Sequence, residues 1–270
     1  MSDASDRAPR FVGKVVQYGR EPDQFAEARF PSGEGPFPLL LVIHGGFWSA
    51  ANDLRHISRF CAALTSRGIV TCSLEYRRVG QKGGGWPGTF IDVASGSEYL
   101  RQLLSRDRRV DMRRAAVIGH SSGGHLALWL GARHRLPRDS VLRGGQSPWL
   151  TAVISLAGIA DLGEAWRSRL GSGAVDRLMG GGPDRYPDRY SEASPIELLP
   201  TALRQVLIHG RGDDSVPIVQ SERFVQRARA VGDKATLLPL DGIGHMELID
   251  PESGAWDAVA KSALEVLGAE

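Results

Sequence analysis

Apolar residues along this chain fall into short runs, and the runs alternate with segments in which apolar positions recur every three to four residues. Short runs bounded by Gly, Pro, Asp and Asn predict buried strands, and the longer period predicts amphipathic helices. The runs are Val12 to Tyr18, Phe25 to Phe30, Leu39 to His44, Ile69 to Leu74, Ala115 to Ile118, Val153 to Leu156, Val206 to His209 and Thr236 to Leu240, with a Pro-Asp turn joining the first two. Between them, Leu54, Ile57, Phe60, Cys61 and Leu64 share one helical face, and Ile91, Ala94, Leu100, Leu103 and Leu104 another. Further helices are expected after Ser122, at Pro217, whose missing N–H suits a first helical turn, and after Glu252. Strands alternating with helices specify an α/β fold: a mostly parallel, eight-stranded sheet covered by helices on both faces. Residues 1–270 read as one domain, without internal repeat or low-complexity linker.

One stretch breaks the rhythm. From Gly158 to Leu203 the chain spends about 45 residues between two strands, rich in Gly, Arg, Asp and Pro, and a connection of that length inside a compact domain is expected to serve as a lid or cap.

Composition excludes more than it assigns. With 42% hydrophobic and 24% charged residues, 33 Lys plus Arg against 31 Asp plus Glu, the chain has neither the basic surplus of a nucleic-acid binder nor the composition of a disordered segment. The polar start MSDASDRAPR and the shortness of the longest aliphatic run, Leu39 to Ile43, show no export signal and no membrane span. Cys61 and Cys72 lie in apolar stretches without metal-ligand spacing and read as small buried residues, which fits a cytoplasmic protein.

The chemistry concentrates at Gly119-His120-Ser121-Ser122-Gly123, a G-x-S-x-G placed directly after the strand AAVI and before the helix-like GHLALWL. A strand-to-helix turn this sharp needs glycines where side chains would clash, and it pushes the serine hydroxyl out above the sheet edge. Serine is a weak nucleophile at neutral pH and requires a base, itself held by an acid. His245 follows the strand TLLPL in the loop Asp241-Gly242-Ile243-Gly244, and Asp213 follows the strand QVLIH in the order Ser, Asp, His. Asp214 could serve in place of Asp213 if the turn runs one residue longer, and Asp241 and Asp250 are more distant rivals. After the third strand, His44-Gly45-Gly46-Phe47-Trp48 leaves backbone N–H groups unobstructed. Gly46 and Phe47, with the N–H of Ser122, are expected to form an oxyanion hole. Trp48, Trp86, His120 and Met246 are the expected substrate contacts, with Trp166 adding aromatic surface from the cap; the alternative for His120 and for each tryptophan is core packing, and His44 and His209 read as hydrogen-bonded core residues that hold adjacent loops. The remaining histidines lack the companions of a metal site, and neither metal nor other cofactor is expected.

Together these motifs resemble the α/β-hydrolases. The HGG-x-W and GHS-x-GGH forms are similar to an esterase branch that includes kynurenine formamidases and bacterial feruloyl-esterase-like proteins. The likeness extends to Tyr18-Gly19, Gln24-Phe25, Leu74 to Arg78, Gly84 to Gly88, Ser194-Pro195 and His245 to Ile249. Two positions depart from the branch: Phe47 stands where another aromatic is common, and Ser122 where a small Ala follows the nucleophile. The resemblance implies acyl transfer on a small-molecule ester, or on a formamide such as N-formylkynurenine, by a monomer or homodimer without nucleic-acid or membrane partners. The reading from another class is a hydrolase fold kept as a non-catalytic ligand-binding protein.

Overall fold

A computed structural model describes residues 13–143 and 149–269. Val12, the expected start of the first strand, lies outside them. Eight strands form one sheet in the order β1-β2-β4-β3-β5-β6-β7-β8. They are β1 (Lys14–Gln17), β2 (Phe25–Arg29), β3 (Phe37–Ile43), β4 (Val70–Leu74), β5 (Val110–His120), β6 (Ala152–Leu156), β7 (Arg204–Gly210) and β8 (Ala235–Leu240). β1 and β2 are antiparallel to their neighbours, and every pairing from β4 to β8 is parallel.

The period of two is visible in β3. Leu39, Leu41 and Ile43 pack on one side of the sheet with α2 (Gly88–Leu104), α3 (Ser122–Ala132) and α7 (Val219–Ala230). Leu40 and Val42 pack on the other with α1 (Ser58–Ser66) and α8 (Trp256–Leu267). Both faces are covered, which is why the central strands read as continuous apolar runs. β5 begins earlier than its apolar run because Val110 and Asp111 pair with Phe37 and Pro38 of β3, and Asp111 there takes Arg113 and Arg114.

Two expectations need correction. The buried face of α2 runs through Phe90, Val93, Ala94, Ser97, Leu100 and Leu104, whereas Leu103 is exposed. Its buried polar residue Asp92 takes Arg77 and Gln24, which turns the helix toward that network. Pro217 precedes the first turn of α7 instead of entering it; its carbonyl accepts the N–H of Gln220. The stretch after β6, expected as a cap, contains α4 (Leu162–Arg167), α5 (Leu170–Met179), α6 (Pro187–Ala193) and a 3-10 turn at Pro195–Leu198. Its base is pinned where Gln220 Oε1 accepts the N–H groups of Ala160 and Asp161. Among the described residues no helix is long and apolar enough to cross a membrane.

Candidate active site

β5 hands over to α3 at Ser121, whose backbone is left-handed at φ 57° and ψ −123°. For a non-glycine residue this is strained, and the surroundings enforce it. The Ser121 N–H donates to the Leu156 carbonyl at 2.8 Å. A Cβ on Gly119 would lie 2.0 Å from the Gly123 carbonyl oxygen, and one on Gly123 would lie 2.1 Å from that of Ile43. Backbone occupies both places, so the two motif glycines are sterically required.

The loop after β7 brings Asp213 under the loop after β8, and His245 Nδ1 meets Asp213 Oδ2 at 2.6 Å. Asp213 Oδ1 accepts the N–H groups of Ser215 and Val216 at 2.9 and 2.8 Å. Burial pushes the Asp213 carboxyl up, but hydrogen bonds from His209, His245 and Val216 outweigh it and hold the group far below the usual carboxylate range. An ionised Asp213 can only accept, so Nδ1 of His245 carries the proton in this contact. Asp214 is exposed and accepts the Ser215 hydroxyl, Asp241 pairs with Arg211, and Asp250 accepts the N–H of Glu252. The structure therefore brings Asp213, of the four candidates, against the imidazole.

His209 was expected only as a core residue, yet it supports this carboxylate. Its Nδ1 accepts from the Ser221 hydroxyl at 2.7 Å, while its Nε2–H donates to the Val216 carbonyl at 2.9 Å and lies 3.3 Å from Asp213 Oδ2. The signal in the sequence is its place at the end of β7, four residues before Asp213.

Of the two places expected for His120, the structure shows packing: the ring is buried, stacks obliquely on His245 at 4.5 Å between centroids, and its Nε2–H donates to the His245 carbonyl at 3.0 Å. Burial and the neighbouring His245 push its pKa down to about 3, so the ring stays neutral. It ties the histidine loop to the residue beside Ser121.

Gly46, Phe47 and Trp48 all have positive φ, at 108°, 51° and 55°, which folds the loop after β3 back toward the start of α3. There the Trp48 N–H donates to Ser122 Oγ at 3.3 Å. The N–H groups of Phe47 and of Ser122, the first residue of α3, have no hydrogen-bond acceptor among the described residues. Below the loop, His44 Nε2–H donates to buried Glu75 at 2.9 Å and the Tyr76 hydroxyl to the His44 carbonyl at 2.9 Å. The positive end of α3 adds to the attraction for an anion at this point.

Trp48 likewise takes the packing alternative. It is fully buried, donating through Nε1 to His125 Nδ1 at 3.2 Å, and His125 in turn donates to the Ala193 carbonyl at 2.9 Å. It therefore joins the loop to the excursion and presents no surface to a substrate. Trp86 is half-buried edge-on to Phe90, with its backbone N–H on the Leu178 carbonyl. Trp166 is half-buried and donates to Asp176. Met246, next to His245, is 54% exposed.

A family model described as BD-FAE matches residues 29–228. Esterase LipC of Mycobacterium tuberculosis is 29% identical over 252 residues, 87% of this chain and 60% of LipC. A probable isoprenylcysteine alpha-carbonyl methylesterase of Oryza sativa subsp. japonica is 25% identical, over 97% of this chain and 65% of its own length. The chain thus spans under two thirds of these relatives. Among solved structures, a truncated carbohydrate esterase from gut microbiota superposes with a TM-score of 0.80 at 21% identity, covering 97% of this chain and 99% of that one. The propionate-bound Est2 esterase of Thermogutta terrifontis gives 0.74 at 19% identity, covering 95% and 94%. Sheet order, elbow and family match agree: the chain belongs to the BD-FAE family and has the α/β-hydrolase fold.

Proposed function

We propose that this protein is a carboxylesterase-type serine hydrolase that cleaves small-molecule esters through an acyl-enzyme. The observation that carries this reading is the 2.6 Å contact of His245 Nδ1 with an ionised Asp213, on a histidine loop tethered through His120 to the strained turn at Ser121. Ser121 Oγ attacks the ester carbonyl carbon while its proton passes to Nε2 of His245. The oxyanion that forms is taken by the N–H groups of the Gly46-Phe47 turn and of Ser122. Collapse breaks the carbon–oxygen bond, the leaving alkoxide takes the proton from Nε2, and water then repeats the sequence to release the acid. Asp213 keeps Nδ1 protonated and the ring oriented, and Asp213 in turn is held by His209 and two backbone N–H groups.

LipC and the methylesterase are esterases by name, which supports ester over amide. A formamide substrate such as N-formylkynurenine is the competing reading at the same centre. Residues 158–203 act as the cap of a single domain in this proposal. The free, fully buried Cys61 and Cys72, with thiols pushed up to about 12 by burial, support a reducing compartment such as the cytoplasm. Turnover of p-nitrophenyl acetate and of N-formylkynurenine, side by side with Ser121→Ala as the blank, tests the reading. Ester turnover and fluorophosphonate labelling, both lost in Ser121→Ala, are expected. Formamide turnover alone would replace the esterase assignment, and a folded protein that neither labels nor turns over would leave a ligand-binding protein.

A further inference from the structure

Several guanidinium groups of this chain are matched to carboxylates, as in Arg77 with Asp92, Arg101 with Glu98, Arg109 with Asp107 and Arg113 with Asp111. On the excursion, Trp166, Arg167, Arg169, Ser172, Asp176 and Arg177 line a cleft of about 580 Å³. Its one carboxylate, Asp176, accepts Trp166 Nε1–H at 3.1 Å. Arg167 spends Nε on the Gly163 carbonyl, and Arg177 spends two N–H groups on the carbonyls of Ser172 and Gly171. Among the described residues none of these three guanidiniums has a carboxylate within 4.0 Å.

The turn from Arg169 to Gly173 lies against the loop that carries Phe47. Arg169, Gly171, Ser172 and Gly173 have φ of 56°, 57°, 55° and 83°, and the Gly173 N–H closes the turn on the Arg169 carbonyl at 3.2 Å. A Cβ on Gly171 would lie 2.6 Å from the Phe47 ring, so the turn that carries Arg169 and braces Arg177 rests directly on the residue placed in the oxyanion loop.

We propose that this cleft is a specificity subsite for an anionic group carried by the ester substrate, with Arg167 and Arg169 as its recognition residues and Trp166 as its aromatic wall. The inference rests on the hydrolase reading. Guanidinium forks match the two oxygens of a carboxylate, and exposed charges of this kind lose strength as salt screens them. The subsite selects esters bearing a second, acidic function over neutral esters of the same length.

Two matched pairs test it: mono-p-nitrophenyl adipate against p-nitrophenyl hexanoate, and p-carboxyphenyl acetate against phenyl acetate. They place the carboxylate on the acyl and on the leaving-group side respectively. In at least one pair the anionic ester should have the higher kcat/KM. That ratio should fall about tenfold in Arg167→Gln/Arg169→Gln, carried mainly by KM, and should shrink in wild type between roughly 20 and 500 mM salt. Neutral esters turned over with no anionic preference in either pair, or a preference that survives the double substitution, would overturn the subsite while leaving the hydrolase intact. Failure to turn over any of the four esters would instead remove the hydrolase reading. Binding of adipate monomethyl ester to Ser121→Ala, followed by calorimetry with and without the double substitution, gives a readout independent of turnover and must show the same loss.

Discussion

The turn at Ser121 and the turn at Gly171 are both left-handed, both glycine-dependent, and held in different ways. At Ser121 every approach is to backbone: Gly119 against Gly123, Gly123 against the end of β3, and the Ser121 N–H on the end of β6. At Gly171 the close neighbour is the ring of Phe47, and the turn is braced by a guanidinium. Backbone in the middle of a parallel sheet cannot yield, while an aromatic side chain can swing. The difference separates chemistry from recognition: the proposed nucleophile stands where three strands fix it, and the proposed subsite stands where neighbours can adjust.

The largest expected effects come from the fixed region. Ser121→Ala should remove about four orders of magnitude or more of ester turnover without changing the melting temperature by more than about 2 °C. Asp213→Asn should cost a comparable factor, because an amide in that place no longer forces the proton onto Nδ1 of His245. Single-turnover assays and thermal melts on the same preparations read both effects. Activity surviving either substitution would mean that the geometry at the sheet edge is a relic.

Next in size is steric. Gly123→Ala places a methyl where the Ile43 carbonyl oxygen stands, and neither β3 nor α3 can retreat, so a loss of about 3 kcal/mol or more is expected. In a chain of this size that is a fall of roughly 8 °C, measurable by calorimetry. An unchanged melting temperature would show that the elbow has slack.

Acid separates the regions in another way. Burial drives the pKa of His120 down to about 3 and of His125 to about 4, from an ordinary 6.5. Below pH 6.5 the unfolded chain therefore takes up protons that the folded chain refuses, and stability falls as pH falls, levelling near pH 4 for His125 and pH 3 for His120. Each site contributes at most about 1.4 kcal/mol per pH unit. His120 ties the histidine loop to the elbow and His125 ties α3 to the excursion. His125→Gln should flatten the pH dependence of the unfolding midpoint between about pH 4 and 6, and a slope equal to wild type would show that burial does not hold the His125 ring neutral.

The fold and the residues proposed to react were legible because sterics and period leave a local trace. Alternating apolar runs gave every strand of the sheet, the G-x-S-x-G lay between a strand and a helix, and Asp213 and His245 each followed a strand in the expected order. What escaped depended on partners distant in sequence. Trp48 looks like pocket surface beside two glycines, and only the fold sets His125 and Ala193 against it. His120 looks like a pocket residue because it adjoins the nucleophile; its actual partner, the His245 carbonyl, is 125 residues away. His209 gave no sign of its proximity to Asp213 beyond a spacing of four. The cleft between α4 and α5 was hidden in an arginine-rich stretch whose local pattern is that of an ordinary solvated surface.

The smallest effect is the sharpest probe of the contrast. Gly171→Ala adds a methyl at φ 57°, which costs an L-residue about 1 to 2 kcal/mol, and directs it 2.6 Å from a ring carbon of Phe47. If the ring yields, the backbone cost is all that remains, and the melting temperature should fall by about half as much as in Gly123→Ala or less. The displaced ring stands over the oxyanion loop, so kcat on a neutral ester should drop severalfold while Ser121 still labels with fluorophosphonate. A loss of stability as large as that of Gly123→Ala would mean that Phe47 is as immovable as the β3 carbonyl, and that recognition and chemistry share one rigid frame. An unchanged kcat would mean that the turn carrying Arg169 touches the loop without reaching the reaction.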